Sequence, residues 1–226
     1  GNLNIDNLIK STHGNNPKNR LEWIPFEEFA DIQQVTEGGF STIFTALWVK
    51  GRITGYSEVG FDRAGSEKIV LKFLKDSQNI NSVFIKELNN IALTQPNSNR
   101  YIIQSYGVSQ DPNTKNYIFV MPYIEHGSLR EYLFKHFDDV KWMDWGKSKG
   151  SKVNFLKSLV MGIKWIHQKN IIHRDLHSGN ILVHQKNILR GNKLVDQENY
   201  SLITDLGLSR PADKDPGTEF LEGSQE

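Results

Sequence analysis

The sequence predicts an α+β fold with a β-rich front and a helical back, and three observations carry that expectation. Short apolar runs separated by glycine-containing turns fill the first half. A single stretch with helical spacing interrupts them. After Gly127 the spacing turns helical, until two more strands follow near the end.

Residues 1–20 are rich in Asn, with Gly and Pro, and show no period, so they read as a disordered leader with folding expected from about Leu21. In "ADIQQVTEGGFSTIFTALWVK", Ile32 and Val35 lead into Gly38-Gly39, and Ile43, Phe44 and Leu47 lead away, which predicts a hairpin. The polar stretch 51–68 reads as a surface insertion. "KIVLKFLK" predicts a buried strand interrupted by one charge, Lys72.

"NSVFIKELNNIALTQ" sets Phe84, Leu88 and Ile91 at helical spacing and stops before Pro96. Strands are expected around "IIQSYGV" and "YIFVMPYI", joined by the turn signal Asp111-Pro112-Asn113. Ser128 and Glu131 have capping-box spacing ahead of a helix through Leu133 and Phe134. Phe155, Leu159, Gly162 and Ile166 then mark a longer helix that ends near His167. The stretch "HRDLHSGNIL" follows, then a strand at "NILVH", a polar insertion, and a strand at "SLITDLGLS".

Lys plus Arg number 27 against 26 Asp plus Glu, with no long run of one sign, so charge gives no reason to expect a nucleic-acid partner. The absence of cysteine removes disulfides and thiolate metal sites and predicts a reducing, cytoplasmic setting. No apolar run is long enough to predict a membrane span.

The chemistry concentrates in a few places. His173-Arg174-Asp175-Leu176-His177-Ser178-Gly179-Asn180 sets a carboxylate and an amide oxygen five positions apart in one short loop. Taken alone, the loop could be a chance polar stretch, or His173 and His177 could hold zinc. Asp205-Leu206-Gly207 supplies a further carboxylate after the next pair of strands. Lys72 in its apolar strand is costly to bury unless a charge meets it, and Glu87 on the next helix can provide one.

In this order the residues resemble the protein kinase family, from about Leu21 to Arg210, and the loop "DLHSGN" is most similar to its tyrosine-kinase-like group. The resemblance implies a protein-kinase-like fold, with a β-rich N-lobe over 21–123 and an incomplete α-helical C-lobe over 124–210. Residues 211–226 read as a truncated activation loop and tail, because no A-P-E segment follows. It also implies use of ATP and Mg2+ and transfer of the γ-phosphate to a protein substrate, on Ser or Thr.

By the same resemblance, Lys72 pairs with Glu87 and holds phosphates, Asp175 accepts the hydroxyl proton, and Asn180 and Asp205 bind metal. Thr36 and Gly38 fall in the phosphate-covering loop, where Thr36 replaces a glycine. Ile43 and Val70 sandwich adenine, and Val70 crowds it where the family usually has Ala. Met121 closes the back of the pocket, and the backbone near Tyr123 meets the adenine edge. The alternative is a truncated pseudokinase that binds a nucleotide or a partner. Leu156, Val160, Met161 and Ile163 would then offer an exposed C-lobe helix for association.

Overall fold

The computed structural model describes residues 3–14, 20–78, 82–94, 100–138, 152–190 and 193–211. In chain order the elements begin with α1 (Leu3–Ser11), β1 (Glu22–Trp23), β2 (Phe29–Glu37), β3 (Ser41–Trp48), β4 (Ile53–Ser57), β5 (Gly60–Arg63) and β6 (Glu67–Leu74). Then come α2 (Ser82–Thr94), β7 (Gly107–Gln110), β8 (Tyr117–Pro122), α3 (Leu129–His136) and α4 (Lys152–Gln168). Strands β9 (Ile171–Ile172), β10 (Ile181–Arg190), β11 (Lys193–Ile203) and β12 (Arg210–Pro211) complete the description. The expected α+β arrangement is present. Residues beyond Pro211, which carry the expected tail, lie outside the described residues.

The N-terminal half is a six-stranded sheet in the order β1-β7-β8-β6-β3-β2. Short β1 runs parallel to β7, and the other pairings are antiparallel. Side chains alternate across a strand, so β6 feeds two cores. Ile69 and Leu71 pack with Ile24, Trp48 and Ile118 on one face. Leu74 packs with Val108, Phe119 and the α2 residues Phe84 and Leu88 on the other. Lys72, two residues from Leu74, therefore points toward α2.

One expectation fails at the N-terminus, since residues 3–11 form a helix rather than a disordered leader. Its composition is polar, but Ile5, Leu8 and Ile9 fall at i, i+3 and i+4 and make one apolar stripe. Ile5 and Ile9 are buried in the same core as Phe84 and Leu88, and Leu8 packs against it. A nine-residue helix is marginal in water, so packing against α2 and not propensity holds it. Its exit is tied down where the Leu21 N–H donates to Thr12 Oγ1 at 2.9 Å.

The two polar insertions also differ from expectation. Within 51–68, β4 and β5 form an antiparallel hairpin with Ile53 buried. The insertion after "NILVH" continues both neighbouring strands, with β10 and β11 paired from Ile181↔Ile203 out to Arg190↔Lys193. In both places the strands lengthen through backbone pairing, which leaves little trace in hydrophobic alternation.

The remaining elements follow their local signals. At α3, Ser128 Oγ accepts the Glu131 N–H and Glu131 Oε2 accepts the Ser128 N–H, so the capping box closes in both directions. A smaller helical core gathers Tyr132, Phe155 and Val183. A backbone bond joins the two halves, the Ile103 N–H donating to Ile203 O at 2.8 Å, and within the helical half the Val183 N–H donates to Gly127 O at 3.0 Å. Gly162 lets α4 lie close to this seam, because a Cβ there would come within 2.8 Å of Ile203 Cδ1. The opposite face of α4 leaves Leu156, Val160 and Met161 exposed, as the resemblance implied, while Ile163 is half-buried. Among the described residues no helix is long and apolar enough to cross a membrane.

Docking of α1 has a measurable consequence. Ile5→Ala should lower the unfolding free energy by about 2–4 kcal/mol in urea titrations, while Leu3→Ala at an exposed position should stay within about 0.5 kcal/mol. Equal effects of the two changes would mean that α1 is not docked in solution.

Candidate active site

A cleft of about 460 Å³ opens between the sheet and the helical half. Its roof comes from the β2–β3 hairpin and β6, and its floor from the segments around Asn180, Leu182 and Asp205. The hairpin is a product of alternation around Gly38-Gly39. The Gly38 N–H donates to Ser41 O at 2.8 Å, and the Lys75 N–H anchors the tip through Phe40 O at 3.0 Å. A register shift between Gln34 and Thr36 bulges β2 just before the turn.

At the centre is a buried cation. Lys72 Nζ donates to Glu87 Oε1 at 2.7 Å and to Asp205 Oδ1 at 2.9 Å. Burial alone would lower the Lys72 pKa, but the two carboxylates outweigh it and raise it. Asp205 is held below its ordinary value, because the Lys72 ammonium and the Gly207 N–H outweigh its partial burial. Glu87 moves up, because it is the more deeply buried carboxyl and also faces Asp205. One ammonium thus serves two carboxylates that differ in basicity.

The loop 173–180 is built on backbone bonds. The Asp175 N–H donates to His173 Nδ1 at 3.3 Å, which leaves the ring proton on Nε2 to meet Thr204 O at 2.9 Å. Asn180 Nδ2 donates to Asp175 O at 3.1 Å and to Asp175 Oδ2 at 3.0 Å. The amide hydrogens are thereby turned toward Asp175, which leaves Oδ1 as a hard ligand atom. The Thr204 N–H donates to Asn180 O at 3.0 Å, bringing the residue before Asp205 against the loop. Arg174 and Asp205 both adopt left-handed backbone, with φ of 67° and 61°. Non-glycine residues in that region are held there by their surroundings, and such strain gathers at functional sites.

The model of the protein tyrosine and serine/threonine kinase family matches residues 29–224. The chain belongs to this family. Among its relatives, the probable serine/threonine-protein kinase zyg-1 of Caenorhabditis briggsae is 27% identical over 184 residues, which cover 79% of this chain and 21% of that protein. A putative serine/threonine-protein kinase of Caenorhabditis elegans is 26% identical over 162 residues, 70% of this chain and 35% of that one. The serine/threonine-protein kinase STE11 of Saccharomyces cerevisiae is 29% identical over 138 residues, 60% and 16% of the two chains. The chain therefore spans about a third or less of the length of these relatives.

In this kinase domain the cleft gathers most of the residues picked out from sequence. Thr36, Gly38, Ile43 and Val70 line it from the sheet, and Met121 and Tyr123 line it from the segment that links the halves. Lys72, Glu87, Asn180 and Asp205 form its polar end. Asp175 is outside that lining and is reached through its bond to Asn180. The zinc alternative fails, since both His173 ring nitrogens are engaged and His177 Nδ1 accepts the Gly179 N–H at 3.0 Å.

Sequence reasoning missed Leu182 and Ile103, which line the apolar part of the cleft. Leu182 could have been found from its place in the apolar start of β10, two residues after Asn180. Ile103 could not, since a long-range backbone bond places it.

The direction of the Asp205 shift sets a pH dependence. A carboxyl with a lowered folded pKa contributes stability that is complete above its ordinary value of 3.8 and is lost as pH falls through the lower folded value. The stability that Asp205→Asn removes should therefore shrink as pH falls below about pH 4. Denaturant unfolding across that range checks it.

Proposed function

We propose that the chain is the catalytic domain of a kinase that transfers the γ-phosphate of ATP to Ser or Thr of a protein substrate. The supporting observation is the Lys72 ammonium held at 2.7 Å from Glu87 and 2.9 Å from Asp205 in the same cleft that Asn180 lines. The serine/threonine names of the relatives support the choice of acceptor. The loop "DLHSGN" supports the tyrosine-kinase-like group.

The donor set fits magnesium and a triphosphate. Asp205 and the Asn180 carbonyl oxygen are hard oxygen ligands, and Lys72 is the cation suited to the α and β phosphates. When bound, the magnesium ion supplies neutralisation of phosphate charge. Ile43, Val70, Met121 and Leu182 provide the apolar surface for adenine, with the backbone around Tyr123 at its edge.

Asp175 takes the proton of the acceptor hydroxyl as that oxygen forms its bond to the γ-phosphorus and the bond to ADP breaks. The Asn180 amide fixes the Asp175 carboxylate for that task. Lys72, Glu87, Asp175, Asn180 and Asp205 support a catalytic reading over a purely non-catalytic one.

The wider setting belongs to the same proposal. The activity is placed inside the cell, without nucleic acid as a partner. Association with other proteins is assigned to the α4 face where Leu156 and Val160 are exposed. Val160→Glu should weaken that association and leave transfer unchanged.

Two substitutions test the reading. Asp175→Asn in the full-length protein should lower kcat about 10²- to 10⁴-fold with little change in KM for ATP. Equal transfer by wild type and variant would overturn the proposal. Val70→Ala removes two methyl groups from the adenine surface and should lower KM for ATP about three- to tenfold. Phosphoamino-acid analysis of the product reads the acceptor.

A further inference from the structure

Helix α2 carries three buried polar side chains, Glu87, Asn90 and Thr94; the proposed reaction uses only Glu87, and Thr94 Oγ1 donates within the helix to Asn90 O at 2.7 Å. Asn90 lies three residues beyond Glu87 on the same face and is 7% exposed. Its Nδ2 donates to Leu206 O and to Ser209 O, both at 3.2 Å. A buried amide in an apolar helix face is costly unless such bonds are made.

The two acceptors are the ends of one turn. The Ser209 N–H donates to Leu206 O at 3.1 Å, so Asn90 spans the turn that immediately follows Asp205. Ser209 Oγ ties the far side of that turn to His173 O at 3.2 Å. Inside it the Gly207 N–H donates to Asp205 Oδ1 at 3.2 Å. There is no slack against α2, because a Cβ on Gly207 would fall 3.0 Å from Glu87 Oε2. Asp205 is meanwhile in left-handed backbone, a conformation that needs outside support.

We propose that Asn90 is a positioning residue for the metal-binding carboxylate, fixing Asp205 relative to Lys72 and Glu87 by bolting the 206–209 turn to α2. The proposal rests on the kinase reading for the role of Asp205. Outer partners that orient a metal ligand typically change metal affinity 10- to 100-fold when removed.

The test uses the full chain with Asn90→Asp, which keeps the shape but turns an acceptor toward two carbonyls, and Asn90→Ala, which removes the group. Binding of a fluorescent ATP analogue is titrated with Mg2+ and repeated in EDTA. Amide exchange of Gly207 and Ser209 is followed alongside the thermal midpoint. The expected result is a rise of about tenfold in half-saturating Mg2+ with EDTA binding unchanged, and faster exchange confined to the turn.

A lower thermal midpoint with unchanged Mg2+ half-saturation in whichever variant folds would overturn the proposal and leave Asn90 a core residue. Wild type that binds the analogue with Mg2+ but transfers no phosphate would sink the kinase activity alone, with the Asn90 result still read from binding and exchange. Wild type with no Mg2+-dependent binding would overturn both.

Discussion

A single buried ammonium organises this molecule. Lys72 lies on β6, Glu87 on α2 and Asp205 after β11, and one cation joins all three at hydrogen-bonding distance. A lysine buried without partners would lose its charge, whereas two carboxylates keep it ionised. The cost is borne by Glu87, the more buried acid, whose pKa rises while that of Asp205 falls. The two acids are thereby unequal. Asp205 stays ionised and partly open to the cleft, which suits a metal ligand, and Glu87 is buried on α2 as an anchor for the lysine.

Such a triad demands that α2 hold its place, and the packing around α2 accounts for that. On the outer side Ile5 and Ile9 of α1 share a core with Phe84 and Leu88. Facing the strands, Phe84 stacks on Tyr117 with ring centroids 4.4 Å apart. Toward the cleft, Asn90 reaches the turn that follows Asp205. The polar geometry of the cleft thus rests on a helix fastened by apolar contacts on two sides and hydrogen bonds on a third.

Much of the site could be read from residues near one another in sequence. Asp175 and Asn180 act within one loop of eight residues, so the spacing itself encodes the contact that the structure shows at 3.0 Å. Lys72 was conspicuous because a charge in an apolar strand needs a partner. The N-terminal segment was misread because its Asn-rich composition outweighed a stripe of only three apolar residues. The long β10–β11 ribbon was misread because backbone pairing, unlike a buried face, does not require alternating side chains.

The sequence by itself determined the α+β class, the main sheet strands and the helices α2, α3 and α4, the α3 capping box, and which lysine, acids and asparagine gather at the cleft. Those features depend on local periodicity or on residue chemistry, which a linear chain displays. Tertiary structure alone decided that α1 docks on α2, that Leu182 and Ile103 line the cleft, and that Asn90 holds the turn after Asp205. Each of these joins residues far apart in sequence, and closing such distances is the work of the packed core and its backbone bonds, not of any local pattern.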